Sequence, residues 1–330
     1  MKFYTFFSGI FKRPDLDGQP LCSAHDVVAA SRRKALLLMF LIPFMWSVAG
    51  IFTRQLSSVS SAEIVFWRSL FVSLFVLAWL LARKKDGFFP AITGLGWAGL
   101  ASGVMWAMIY TCFMLSLTMT TVANTLLICS ITPFLTALFS WFFLGMKTSA
   151  RTWIAIVFSF FGVTVIFWGS AHGMQDTHMT GLLFALVVPF SYAVNYMIFH
   201  KSGKTADMMP AVFLGGALSS LAMIPLAFPL EASMRDISIL AFLGIFQLGI
   251  PCLLLVYVAR FLPPTEIALI AMLEIVLGPL WVWIGVNETP SGETLTGGLI
   301  VLSCLLIHEL TSLLYLRNKN SISSTVEEKQ

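Results

Sequence analysis

The chain has 330 residues, of which 58% are hydrophobic and only 11% are charged, with a formal net charge of +4. A water-soluble domain could not keep that balance without large exposed apolar patches, so the composition excludes a soluble globular protein. The lipid bilayer is therefore the expected surroundings of most of the chain.

Ten apolar stretches follow one another along the sequence, each long enough for a helix to cross a hydrocarbon core of about 30 Å. They are residues 34–53, 63–82, 94–117, 121–144, 152–170, 180–199, 210–229, 237–260, 265–286 and 294–315. The pattern predicts an all-α integral membrane protein with ten transmembrane helices. Residues 1–33 and 317–330 are predicted to form tails outside the membrane.

Positive charge is distributed unevenly over the loops. Seventeen of the 20 Lys and Arg residues fall on one side of the predicted bundle, in the two tails and in alternate loops. The other side holds Arg54 and Arg235, and Arg68 lies inside a stretch. The positive-inside rule therefore predicts that both termini are cytoplasmic, and an even number of spans also requires them to share a side.

The first and sixth stretches resemble each other. Residues 41–48 match residues 187–194 at a constant offset, which aligns Pro43 with Pro189 and Trp46 with Tyr192. Because each five-helix copy, 34–170 and 180–316, has an odd number of spans, the second copy is predicted to be inverted relative to the first.

Prolines inside the stretches mark predicted helix kinks. Interrupted helices at equivalent positions of two inverted halves point to a binding site near the middle of the membrane. The predicted kink residues are Pro43, Pro189, Pro133 and Pro279.

Polar or amphipathic side chains within the stretches should point inward, because lipid cannot satisfy their hydrogen bonds. The predicted substrate-cavity residues are Trp46, Tyr110, Asn124, Tyr192, Asn195, Tyr196, Gln247 and Glu274. Trp46 and Tyr192 each lie one turn after a repeated proline and are expected to flank one cavity. Phe71 and Phe75 are expected to face lipid.

Three of the charged residues inside the stretches are candidates for a specific role. An isolated carboxylate at Glu274, near the middle of the ninth stretch, costs roughly 3 kcal/mol or more. It is expected either to exchange a proton or contact a cationic substrate group, or to be a neutral acid hydrogen-bonded between helices. Glu63 and Arg68 are interpreted as structural charges that fix helix orientation, with contact between Arg68 and a substrate anion as the alternative.

The sequence resembles the ten-helix EamA-type group of the drug/metabolite transporter superfamily over about residues 34–316. The resemblance rests on residues 43–47 (PFMWS), 63–68 (EIVFWR), 132–133 (TP) and 288–290 (ETP). It implies a bacterial inner-membrane protein that exports amino acids or related metabolites. The chain departs from the group where Ile275 replaces a proline after the ninth-span glutamate and Met146 replaces an acidic residue after Gly145.

The resulting prediction is a secondary transporter, not an enzyme, that moves a small metabolite by alternating access. The cysteines are not spaced as metal ligands, no nucleotide-binding loop stands in a suitable context, and no cofactor or nucleic-acid partner is expected. Substrate and lipid bilayer are the expected partners. Direction of flux, coupling to protons and a homodimer are left open.

Two alternatives accompany this prediction. One is an integral-membrane enzyme acting on a lipid-linked substrate, which would need catalytic groups clustered near one interface. The other is a nucleotide-sugar or sugar-phosphate carrier, which would need more inward-facing Lys or Arg residues than Arg68 alone.

The charge pattern predicts which loops a membrane-impermeant thiol reagent can reach. Single cysteines near Gly173 and Asn287 should be labelled from outside intact cells, and cysteines near Lys85 and Lys204 should react only after the membrane is permeabilised. Labelling near Lys204 in intact cells would contradict the predicted topology.

Overall fold

The computed structural model describes residues 21–53, 55–56, 59–83, 92–120, 122–168, 179–202 and 207–286, with scattered positions between 292 and 311. All regular secondary structure in these ranges is helical. The first half contains α1 (Leu21–Ser47), α2 (Ala49–Thr53), α3 (Ser61–Arg83), α4 (Gly96–Met119), α5 (Val122–Cys129), α6 (Thr132–Leu144) and α7 (Ala150–Trp168).

The second half begins with α8 (Met179–Ser202) and α9 (Met209–Ala227). It continues with α10 (Met234–Phe242), a π-helical segment (Leu243–Gly249), α11 (Ile250–Val258), α12 (Pro264–Ala271) and α13 (Leu273–Val286). Each of the first nine predicted stretches therefore coincides with helix. The tenth, 294–315, lies largely outside the described residues.

Length and composition support membrane insertion. Within the described ranges, six helical spans are long and apolar enough to cross a bilayer, and they are Ala30–Thr53, Ser61–Arg83, Gly96–Met119, Thr180–Ser202, Met209–Ala227 and Met234–Val258. The helical regions Thr132–Leu144 and Ala150–Gly162 are apolar but shorter. The all-helical membrane fold is thus confirmed, while the count of ten helices and the inverted repeat stay predictions.

Three of the predicted stretches are broken, at Val48, at Ser130–Ile131 and at Met272. At the second break the Thr132 hydroxyl donates to the carbonyl of Cys129 (2.6 Å), a local bond that competes with continuous helix. Pro133 follows in the first turn of α6, where its missing N–H costs nothing. At the third break, the Met272 and Ile275 amides donate to carbonyls three residues back, at 3.1 and 3.0 Å, which tightens the chain locally.

The predicted kink prolines occupy different positions relative to these breaks. Pro43 and Pro189 lie inside α1 and α8, and both helices continue past them. Helix α1 ends at Ser47, one turn after Pro43, and the Ser47 hydroxyl donates to the carbonyl of Phe44 (2.8 Å). Pro279 lies within α13, beyond the break at Met272.

The tightest packing joins the two halves. Helix α3 lies against α9, and α4 lies against both α8 and α9. Small residues permit this approach: a Cβ atom at Gly216 would lie 2.9 Å from the carbonyl oxygen of Ser69. The Ser219 hydroxyl links α9 to both neighbours, through Ser69 (2.9 Å) and Thr111 (2.8 Å). Small side chains and interhelical hydrogen bonds are the usual basis of helix association in lipid.

The surface of the bundle is apolar, as a lipid-facing surface requires. Leu37 and Phe142 are 74% and 75% exposed. Phe71 and Phe75, which were expected to face lipid, are partly exposed. Cβ of Phe71 lies against Gly244 of the π segment and its ring stacks on Trp67, while the ring of Phe75 lies against Gly249. Protein therefore covers part of both side chains, and contact of the rest with lipid stays a prediction.

Gly215 provides a test of this packing. A Cβ atom there would overlap Cβ of Trp106, so Gly215→Ala should force α4 and α9 apart and destabilise the protein by about 1–3 kcal/mol. Thermal unfolding of the purified protein in detergent measures the loss.

Gly278→Ala is the matched control, because its nearest neighbouring atom is Cδ1 of Leu126, at an ordinary 3.5 Å. It should leave the unfolding midpoint unchanged or raise it, since alanine favours helix over glycine. Equal midpoints for the two variants would contradict the close approach at Gly215.

Candidate functional site

A small cavity of about 50 Å³ lies inside the bundle, where the interrupted helices meet. Trp46 lies just before the break in the first stretch, Cys129 and Thr132 flank the break in the fourth, and Met272 is the break in the ninth. Gln247 comes from the π segment. The irregular backbone of four stretches therefore converges on one space.

The polar or amphipathic residues lining the cavity are Trp46, Arg68, Tyr110, Thr132, Tyr192, Tyr196, Gln247 and Glu274. Six of the eight predicted cavity residues are among them. The seventh, Asn195, is fully buried away from the cavity and accepts a hydrogen bond from Ser102 (2.7 Å). Asn124 lies on α5, and its side chain is outside the described residues. That these side chains bind substrate stays a prediction.

Aromatic rings form much of the wall. The rings of Trp46 and Tyr192 lie 5.8 Å apart, centroid to centroid, and Tyr192 lies 5.7 Å from Tyr196. Trp46 comes from the first half of the chain and Tyr192 from the second. The wall therefore offers flat apolar faces from both halves, together with phenolic hydroxyl groups.

Both signs of charge reach the cavity. Glu274 lines it from the start of α13, and Arg68 lines it from α3. The Arg68 guanidinium donates from Nη2 to Oε1 of Gln247 (2.9 Å). The Gln247 amide in turn donates from Nε2 to the carbonyl oxygen of Trp46 (3.0 Å), just before the break at Val48. An acid, a base and an amide thus surround the same small volume.

Glu63 and Arg68, grouped as structural charges from the sequence, have different environments. Glu63 is buried, and its carboxylate accepts hydrogen bonds from the backbone amides of Glu231 (3.1 Å) and Ala232 (2.9 Å) and from the indole of Trp67 (3.2 Å). These contacts fix the segment before α10. Arg68 lines the cavity and also bonds Gln247 of the second half. That both act as structural charges stays a prediction.

Ion pairs close the bundle at the end where α1 begins and α3 ends. Arg32 donates from Nη2 to both carboxylate oxygens of Glu266, at 2.7 and 2.9 Å, which joins the two halves. Arg83 of the first half and Arg260 of the second approach Asp207 at 3.9 and 3.5 Å. Both partners of the first contact are charged, which strengthens its hydrogen bonds.

The sequence profile of the EamA-like transporter family matches the chain twice, at residues 33–168 and 179–308. The chain belongs to the EamA-like transporter family. The resemblance inferred from short motifs is therefore confirmed. The two matched segments both contribute residues to the cavity.

Curated relatives in this family are named transporters. The pseudopaline exporter CntI of Pseudomonas aeruginosa is 27% identical over 282 residues, which cover 83% of this chain and 95% of the exporter. Human solute carrier family 35 member G1 is 24% identical over 86% of this chain and 82% of the carrier. A solved crystal structure matches with a TM-score of 0.72 at 17% identity, over 85% of this chain and 99% of that chain, which shows the shared fold alone.

The paired rings generate a prediction. Trp46→Ala and Tyr192→Ala should each raise the apparent KM for the transported solute by about three- to tenfold, the equivalent of one aromatic contact. The expression level and the unfolding midpoint should change less than the apparent KM does. Flux in proteoliposomes, together with thermal unfolding, measures both quantities.

Phe142→Ala, on the lipid-facing surface, is the control and should leave KM unchanged. An unaltered KM in both cavity variants would mean that the rings only pack against each other.

Proposed function

We propose that this protein is a secondary transporter of the bacterial inner membrane that exports small metabolites such as amino acids by alternating access. The observation that carries the proposal is the cavity within the bundle, lined by both halves of the chain and placed where their helices are interrupted. In a membrane protein, non-helical backbone is tolerated where it is buried in protein or lines a cavity, and such places are commonly substrate sites.

The contacts between helices support an inverted repeat of 34–170 and 180–316. Helix α4 packs against α8 in the way that α11 packs against α1, and α4 packs against α9 in the way that the π segment packs against α3. A two-fold axis in the membrane plane would relate each pair to the other. Rocking of the halves about such an axis would expose the cavity to each side in turn.

The cavity is too small for a metabolite in this conformation. Ligand sites usually measure about 300–1,000 Å³, against about 50 Å³ here. With both termini cytoplasmic, as the loop charges predict, the Arg32–Glu266 pair lies on the cytoplasmic side. That pair and the contacts of Asp207 would then have to open before a solute could enter from the cytoplasm.

Two sequence relatives support transport rather than enzymatic chemistry, and one of them supports export. One is named an exporter of pseudopaline and the other a solute carrier. Neither name fixes the substrate of this chain, because the identities are 27% and 24%. Small metabolites with polar groups and an apolar portion suit a wall of aromatic rings with few charges.

Glu274 is the candidate for proton coupling. It lines the cavity, and within the described ranges no side chain donates a hydrogen bond to its carboxylate. A carboxylate in such a site can bind a proton in one step of the cycle and a cationic substrate group in another.

Glu274→Gln tests this role, because it keeps the shape of the side chain and removes the exchangeable proton. We expect flux to fall at least about tenfold, and the remaining flux to lose its response to an imposed pH gradient. Measurements in proteoliposomes with and without the gradient separate the two effects.

Glu231→Gln is the control, since Glu231 is exposed and should behave like wild type. Wild-type flux with an unchanged response to the gradient in Glu274→Gln would assign Glu274 a structural role only.

A further inference from the structure

Arg68 is buried in the cavity wall and forms no salt bridge among the described residues, although Glu274 lines the same cavity. Its side chain is 2% exposed, and its Nε atom has no hydrogen-bond partner. Arg32, Arg83 and Arg260, by contrast, each form an ion pair. Its acceptor is the neutral amide of Gln247.

This arrangement is costly for a protein that uses Arg68 only to hold helices together. Removing a guanidinium from water costs several kcal/mol unless an anion and further acceptors offset the loss. Arginine carries five N–H donors, and one amide oxygen satisfies one of them without neutralising the charge. In this conformation the Arg68 guanidinium therefore lacks a directly bonded anion, because Glu274 lines the same cavity without pairing with it.

The π segment holds this guanidinium in place. Gln247 accepts from Arg68 through Oε1 and is itself fixed by its bond to the Trp46 carbonyl. In the same segment, a Cβ atom at Gly244 would lie only 2.7 Å from the carbonyl oxygen of Arg68. The side chain and backbone of Arg68 thus both contact the π segment, a type of helix distortion that is frequent at functional sites.

We propose that Arg68 binds the carboxylate of the transported solute, that Gln247 is its positioning residue, and that the site selects small zwitterions whose cationic group approaches Glu274. The planar guanidinium matches a carboxylate through two parallel hydrogen bonds. This inference rests on the transport function proposed above and adds the group that the substrate must carry.

The arrangement predicts strong discrimination against solutes that lack a carboxylate. An amine or an ester would occupy the cavity and leave Arg68 buried and unpaired, whereas an acid would complete its hydrogen bonds. Sites that bind a polar substrate group reject analogues lacking it far more strongly than apolar pockets reject a size change. We expect acids to bind at least about 100-fold more tightly than their methyl esters.

The experiment uses the full-length protein in nanodiscs, with the standard L-amino acids and their methyl esters as probes. The rise in unfolding midpoint with ligand concentration gives the affinity of each probe. Inhibition of flux in proteoliposomes by the same acids and esters gives the functional order. Wild type should prefer acids in both measurements.

Gln247→Glu is the decisive variant. It replaces an amide by a carboxylate of nearly the same shape, which would pair with Arg68 and occupy the place of the substrate's own carboxylate. The unfolding midpoint should stay the same or rise, while affinity for acids falls at least tenfold and the preference over esters disappears. Arg68→Gln should also abolish the preference, and Arg68→Lys should restore part of it through charge alone.

Gln247→Leu tests whether Gln247 only orients Arg68 or is itself needed for the preference for acids. It removes the bond that orients Arg68, so acids should bind more weakly while their preference over esters is retained. Arg235→Gln, at an exposed arginine of α10, should leave both quantities at the wild-type values.

Two results would overturn the assignment. The first is equal binding of acids and esters by wild type, or binding of no acid in the panel. The second is unchanged affinity for acids in Gln247→Glu, which would make Arg68 structural. Transport of a neutral or cationic solute together with either result would leave the transporter function standing, so the two proposals can fail separately.

Discussion

The structure depends on one constraint, which is that backbone N–H and C=O groups inside a bilayer must find partners within the protein. Continuous helices meet it along most of the described chain. The helices break at Val48, Ser130–Ile131 and Met272. Residues at or near these breaks line the cavity, and so does Gln247 of the π segment. Side chains there bond backbone carbonyls, as Gln247 does for Trp46 and Thr132 does for Cys129. Non-helical backbone occurs beside the cavity because backbone that faces lipid must be regular helix.

Close packing between the halves lets the site form. Helices in lipid gain little from apolar contact alone, so small residues and hydrogen bonds carry the association. Gly215 and Gly216 bring α9 against α4 and α3, and Ser219 links the three helices. This contact places Arg68, on α3, within reach of the eighth stretch. A site made from both halves is suited to a protein whose halves move against each other.

The buried charges divide by how completely the protein satisfies them. Glu63 accepts three hydrogen bonds from groups of the protein and needs no further partner. Arg32 and Glu266 pair with each other, Nη2 donating to both carboxylate oxygens. Arg68 and Glu274 line the cavity without a salt bridge. An unpaired charge is costly inside a membrane, and this is the basis on which we propose that these two residues contact the substrate.

Composition and hydrophobic length by themselves determined that this chain is a helical membrane protein, because segment length and apolarity are local properties. They also indicated six of the side chains that line the cavity, since polar groups in lipid must face inward. The sequence did not predict the break at Met272, the π segment or the environment of Arg68. Nor did it predict that glycines of a distant stretch cover part of Phe71 and Phe75, because a helix has several faces and its sequence alone does not say which face a neighbour covers. Whether a buried charge meets a partner or an open cavity depends on residues far along the chain, such as Gln247, 179 positions from Arg68, and tertiary packing alone brings them together.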